Sequence, residues 1–173
     1  MATHDILPGE YEPSASQWVR DQVELYERTG GREGDTLMDT GMPVVILSTR
    51  GRKSGKVRKS AVMKVEHGGL YAVIGSQGGA PEDPAWVHNL RAAPDEVALQ
   101  DGPEPFAATA REVEGDEREL WWERAVAAYP PYADYQRKTD RRIPVFVVGP
   151  KGMSGRTRPS TSPGRPAPDP TST

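Results

Sequence analysis

The sequence predicts a mainly β domain of the α+β kind, in which six mostly antiparallel strands form a small barrel with helices over its open side. Three observations carry this expectation. From residue 43 onward, runs rich in Val, Ile, Thr and aromatic residues alternate with turns built on glycine, which is the strand-and-turn signature. The first turns are too short for the crossover of a dozen or more residues that parallel neighbours need, so adjacent strands pair antiparallel. Six short strands in so small a body leave edges that a barrel hides best.

Ser14 opens a capping-box pattern with Gln17, and Trp18, Val19, Val23, Leu25 and Tyr26 then recur at helical spacing until Gly30-Gly31, which predicts a first helix. PVVILST from Pro43 is a continuous apolar run of the kind buried on both faces. After the turn RGRKSGK, positions 57–66 alternate in character and end at His67-Gly68-Gly69, giving a second strand, and LYAVIGS from Leu70 gives a third. QGGAPED leads to Pro84 at a helical N1 position and to a short helix stopped by Pro94. Strands near 95–101 and 105–113 follow. GDERELWWERAVAAY then carries its acids in the first turn, where the helix dipole favours them. Pro130-Pro131 interrupts, YADYQRKT adds a turn or two, and 143–148 forms the last strand.

Composition divides the chain of 173 residues into three. Residues 1–13 read as a flexible N-terminal arm, 14–150 as the domain, and 151–173 as a disordered tail rich in Pro, Ser and Thr, which cannot offset its ordering entropy by burial. The tail holds four cations against Asp169 alone, which leaves the remainder at −6. An acidic body argues against nucleic acid, whose ligands carry a basic excess. The chain has no cysteine, which removes thiol nucleophiles, disulfides and thiolate metal sites. The amino terminus has no basic patch followed by an apolar run, and no stretch approaches the ~20 apolar residues of a membrane span. A cytoplasmic protein is expected, with at most peripheral membrane association through the tail.

Three regions could carry chemistry. Arg50, Arg52, Lys53, Lys56, Arg58 and Lys59 put six cations on one hairpin, where Gly51 and Gly55 bring backbone amides close enough to hold phosphate or carboxylate; the alternative is a solvated hairpin. The spacing is not that of a P-loop. Ser76-Gln77-Gly78-Gly79, followed by Trp86, His88 and Asn89, permits close approach of a flat ligand, or is simply a turn beside a core tryptophan. Tyr129, Tyr132 and Tyr135 place three phenols on one helical face, as substrate walls or as core. His4, His67 and His88 show no metal-ligand spacing, and no serine sits in a nucleophile elbow. No metal is expected, and the hard step of any reaction would fall to a bound cofactor.

RGRKSGKVR from Arg50, the Ser76 segment, PAWVHNL from Pro84 and YPPYADYQRKTDRRIPV from Tyr129, in that order and separation, resemble the deazaflavin-dependent nitroreductases. These are actinobacterial proteins of the flavin and deazaflavin oxidoreductase superfamily. The resemblance implies a split β-barrel binding coenzyme F420, with FMN as the alternative cofactor. It places the coenzyme's anionic tail on Arg52, Lys53, Ser54, Lys56 and Arg58, and the deazaflavin along Ala61, Val62 and Met63. Ser76, Gln77, Gly78, Gly79, Ala85, Trp86 and Asn89 match further coenzyme-lining positions. Tyr129, Tyr132 and Tyr135 match substrate-side tyrosines, and Tyr132 or Ser76 is the candidate donor to the acceptor. The best-known branch has lysine at the position of Gln77 and Pro-Leu-Tyr in place of Ala61-Val62-Met63. The implied activity is hydride transfer from reduced F420 to an activated C=C bond, a quinone or a nitroaromatic, by a monomer or homodimer acting on a small molecule. The other function class is a carrier that binds F420 or FMN without turnover.

Overall fold

The computed structural model describes residues 2–37 and 40–152, so all but the first two residues of the expected tail lie outside the described residues. The elements are α1 (Thr3–Ile6), α2 (Gln17–Thr29), β1 (Val44–Arg50), β2 (Val57–Met63), β3 (Glu66–His67), β4 (Leu70–Ile74), a 3₁₀ turn at Gln77–Gly79, α3 (Ala85–Ala92), β5 (Val97–Gln100), β6 (Pro105–Glu112), α4 (Gly115–Ala128), α5 (Pro131–Lys138) and β7 (Val145–Pro150).

The strands form one antiparallel sheet in the order β2-β1-β5-β6-β7-β4-β3. Seven strands stand where six were expected, because the second strand breaks. The Lys64 N–H donates to the Pro43 carbonyl, the Val65 carbonyl accepts from Ala72, and Glu66–His67 then pairs separately with Leu70 and Tyr71. The second hairpin is therefore only two residues a side, and the main partner of β4 is β7, not β2. With β2 and β3 at the two edges, no ring of hydrogen bonds closes. The sheet nonetheless curls: Met63 at the end of β2 and Ile74 at the end of β4 share one core cluster. Side chains also link the residue after β2 to the start of β4, since Lys64 Nζ lies 2.9 Å from Asp101 and Tyr71 Oη donates to that carboxylate at 2.7 Å.

Both faces of the sheet are covered, as the unbroken apolar run of β1 requires. Val44 and Ile46 point to a cluster with Val23 and Tyr26 of α2, Trp121 and Ala125 of α4, and Tyr132 of α5. Val45 and Leu47, one residue out of phase, point to a second cluster with Val87 and Leu90 of α3. Helix α2 starts at N-cap Ser16, two residues later than the capping-box pattern suggests. The Ser14 hydroxyl accepts the Ser16 N–H at 3.1 Å, and the Gln17 amide donates to Asp21, so each is used locally. Pro84 is likewise the N-cap of α3, not its N1 residue.

The segment before α2 lies along the sheet. Leu7 is buried with Val57 and Ala98. Val57 N–H donates to the Glu10 carbonyl at 2.8 Å and Glu12 N–H to the Val57 carbonyl at 2.9 Å, a parallel bridge centred on Tyr11. This strap thus adds a short strand-like contact to the edge at β2.

Leu99 on β5 is fully buried. Leu99→Ala is expected to cost about 2–5 kcal/mol, the range for buried leucine truncations that leave a cavity. The check is the urea midpoint at unchanged m-value.

Candidate active site

The turn between β1 and β2 is held by its own backbone, by its own Arg50 and Ser54 side chains and by one side chain from elsewhere. Gly51 N–H donates to Lys56 O at 2.7 Å and Gly55 N–H to Gly51 O at 2.9 Å. Gly55 takes φ +73°, a left-handed conformation that costs glycine little. Asn89, buried on α3, accepts the Arg52 N–H at 2.8 Å and donates from its amide nitrogen to Thr49 Oγ1 at 3.1 Å. The backbone N–H groups of Lys53 and Ser54 find no acceptor among the described residues.

Charge on this hairpin is unevenly spent. Arg50 lies 2.9 Å from Glu96, Lys56 3.5 Å from Glu10, Arg58 3.4 Å from Glu12, and Lys59 2.6 Å from Glu27. Arg52 and Lys53 have no acidic partner among the described residues.

Arg52 and Lys53 face an open cavity of about 860 Å³. Its wall brings together Arg52, Lys53, Ser54, Arg58, Ala61, Val62, Met63, Ser76, Gln77, Gly78, Ala85, Trp86, Asn89, Tyr129, Tyr132 and Tyr135. Three sequence candidates lie off that wall, the first being Arg50, which is turned to Glu96. Lys56 is turned to Glu10, and Gly79 is buried behind the loop, where a Cβ would come within 3.0 Å of the Tyr135 carbonyl oxygen. Glycine at 79 thus lets α5 pack against the loop.

The 75–83 loop is fixed by Arg141, which the sequence reading passed over. Its guanidinium donates to the carbonyls of Gly75, Ser76 and Ala80 at 2.8–3.1 Å and pairs with Asp83 at 2.6 Å, both side chains being largely buried. Asp83 also meets Arg91 at 3.4 Å, which in turn holds Glu112 at 2.8 Å. Lys138 Nζ donates to Gly78 O. Nothing in its local pattern marks Arg141, since its partners lie roughly sixty residues away. Helix α2 was also missed as a wall: Trp18, Val19 and Gln22 line the cavity, and Trp18 is half-exposed. An exposed tryptophan on an amphipathic helix was the available signal.

At the opposite end, three phenols pack edge to face. Tyr129 and Tyr132 ring centroids are 5.0 Å apart at 78°, and the Tyr129 and Tyr135 hydroxyls are 3.0 Å apart. The hydrogen bond with Tyr135, followed by burial, raises the Tyr129 phenol to about 12. Burial raises Tyr132 further. Tyr132 and Ser76 line the cavity, and neither hydroxyl has a hydrogen-bond partner among the described residues.

Fold and site together define a class: a curled antiparallel-sheet protein that presents free cations and amides at one end of a cavity and an aromatic wall at the other. Residues 18–150 match the family model described as F420H(2)-dependent quinone reductase, and the chain belongs to that family. It is 34% identical over 135 residues to an F420H(2)-dependent quinone reductase of Mycobacterium tuberculosis, covering 76% of this chain and 89% of that protein. A solved structure of an F420-H2 dependent reductase is 54% identical, with 61% of this chain and 93% of that one covered and a TM-score of 0.58. A second, described as a domain-swapped dimer, is 50% identical, with 78% and 99% covered and a TM-score of 0.60. Among the described residues no helix is long and apolar enough to cross a membrane.

Arg141→Ala should remove about 2–4 kcal/mol of stability, because it strands three carbonyls and leaves Asp83 with only the longer contact to Arg91. Chemical denaturation measures this, and loss below ~0.5 kcal/mol would show that the loop holds itself. Raised phenols make a second prediction. Tyr11, Tyr26, Tyr71, Tyr129 and Tyr132 all hold their protons more tightly when folded, mainly through burial except at Tyr129. Above pH ~10 the unfolded chain releases protons that the folded one keeps, so stability is full below that pH and falls as pH rises toward 12. Urea midpoints across this range should decline together with the appearance of tyrosinate absorbance.

Proposed function

We propose that the chain reduces quinones with reduced coenzyme F420, holding the coenzyme's anionic tail at Arg52, Lys53 and Ser54 and its ring in the cavity between the 76–78 loop and the tyrosines. The carrying observation is that the hairpin's two unpaired cations and two unspent amides all fall at one end of the cavity. The donor set fits the group: charge and N–H donation suit phosphate and carboxylates, and a volume of about 860 Å³ lies in the range of ligand sites. The curled sheet is accordingly read as a split barrel, with residues 14–150 as its domain. Of the monomer and homodimer left open by the sequence, the solved relative described as a domain-swapped dimer favours the dimer.

When bound, the reduced coenzyme supplies a hydride, and one proton completes each quinone reduction. The protein's part is to hold two flat molecules against each other, which converts an encounter into a positioned reaction. As negative charge builds on the acceptor's carbonyl oxygen, Tyr132 Oη or Ser76 Oγ donates a hydrogen bond to it. Tyr132 is suited to donate without giving up its proton, since burial holds that proton tightly. Trp86, Met63 and Tyr129 keep water from the ring faces.

Arg52→Ala with Lys53→Ala should weaken coenzyme binding roughly tenfold or more, about 1.4 kcal/mol at least, and make the affinity less dependent on salt. Titration of the coenzyme's fluorescence reads both. Unchanged affinity would remove the hairpin from the site. Catalytic, not merely stoichiometric, loss of reduced coenzyme with a soluble quinone separates the reductase from a carrier.

A further inference from the structure

We infer that Glu12, supported by Glu10, is a fixed counter-charge that weakens and tunes the grip of the basic hairpin on the coenzyme tail. The inference rests on the tail reading above and concerns the strap, which that reading does not use. Glu10 and Glu12 flank Tyr11, whose neighbours' main-chain groups are hydrogen-bonded to Val57 on β2. The backbone that carries the two carboxylates is therefore anchored beside the hairpin. They stand 3.5 Å from Lys56 and 3.4 Å from Arg58. Tyr11 reinforces the placement, with Lys59 Nζ 4.6 Å from its ring centroid.

Glu12 is the sharper of the two. It lines the cavity, and its Oε1 is shielded from solvent while accepting no hydrogen bond, so its main compensation is the ionic contact with Arg58. A tail anion that engages Arg58 takes away that compensation and brings a like charge close to a carboxylate whose backbone is anchored beside it. Both effects oppose binding. The hairpin thus offers its free charge at Arg52 and Lys53 and only contested charge at Arg58.

A counter-charge of this kind has a use in a reductase whose hydride source is a diffusible coenzyme. The chain holds no reductant of its own, so each turnover needs the oxidised coenzyme to leave, and an unopposed six-cation hairpin would retain a polyanion.

The test measures binding, by fluorescence titration, of two probes: the complete coenzyme and the tail-less deazaflavin nucleoside. Glu12→Gln keeps the side chain's shape. It should tighten the complete coenzyme by about two- to five-fold, the scale of a partly exposed ion pair, with a steeper salt dependence, and leave the tail-less probe unchanged. Adding Glu10→Gln should extend the gain. If Glu12→Gln leaves the complete coenzyme unchanged or weakens it, or shifts both probes alike, the inference is overturned. The Arg52→Ala, Lys53→Ala protein is the control arm. If it binds the complete coenzyme as the unaltered chain does, the tail reading has failed and the counter-charge falls with it. If it binds weakly while Glu12→Gln changes nothing, only the counter-charge fails.

Discussion

Two polar side chains, each reaching across the fold, hold the loops on which the site depends. Asn89 ties the tip of the β1–β2 hairpin to α3, and Arg141 ties the 75–83 loop to the segment before β7. Both loops consist largely of backbone polar groups, which the apolar clusters cannot hold. Unpaired N–H and C=O groups near a core cost roughly 1–3 kcal/mol each. Supplying partners from a side chain leaves the loops ordered and yet not flattened onto the sheet. The cavity is the space that remains between them.

This arrangement separates the number of charges from the charge available. The hairpin carries six cations, yet four are matched by Glu96, Glu10, Glu12 and Glu27, from three different parts of the chain. Matching them helps an acidic protein tolerate a dense basic turn without making it a general polyanion trap. The free pair, Arg52 and Lys53, is adjacent in sequence and sits where the turn's amides are also unspent. On the proposed reading, direction comes from this asymmetry: a ligand with one charged end and one flat end lies with its charge at the hairpin and its ring toward the tyrosines.

Much of the element order was legible because period-two and helical patterns are local. PVVILST carries β1 on its face, and the acidic first turn carries α4. The strand count was not, because the break at Lys64–Val65 is made by hydrogen bonds to Pro43 and Ala72 rather than by a glycine or proline. Likewise the turn at 50–58 and the three tyrosines stand out in the chain, whereas Arg141, Asn89's double role and the pairing of Lys56 with Glu10 depend on contacts between distant positions. The strap illustrates the same limit. A polar stretch with two prolines reads as loose, and only Leu7's burial and the Val57 bridge show that it lies on the sheet.

The 77–79 turn shows why such distant support is needed. Gln77 adopts φ +45°, and Gly78 and Gly79 follow at +66° and +85°. The glycines take these values cheaply, but a left-handed glutamine costs about 1 kcal/mol or more and persists only if its surroundings over-determine it. Here they do: Arg141 holds the carbonyls on either side, Lys138 holds that of Gly78, and α5 packs against Gly79. The strained turn ends β4 abruptly and leaves Ser76 with an uncommitted hydroxyl on the cavity wall. A relaxed, extended continuation of β4 would carry the next residues onward past the cavity. On the proposed reading, the strain is the local cost of placing the Ser76 donor beside the ligand, and Arg141 is the group that sustains it.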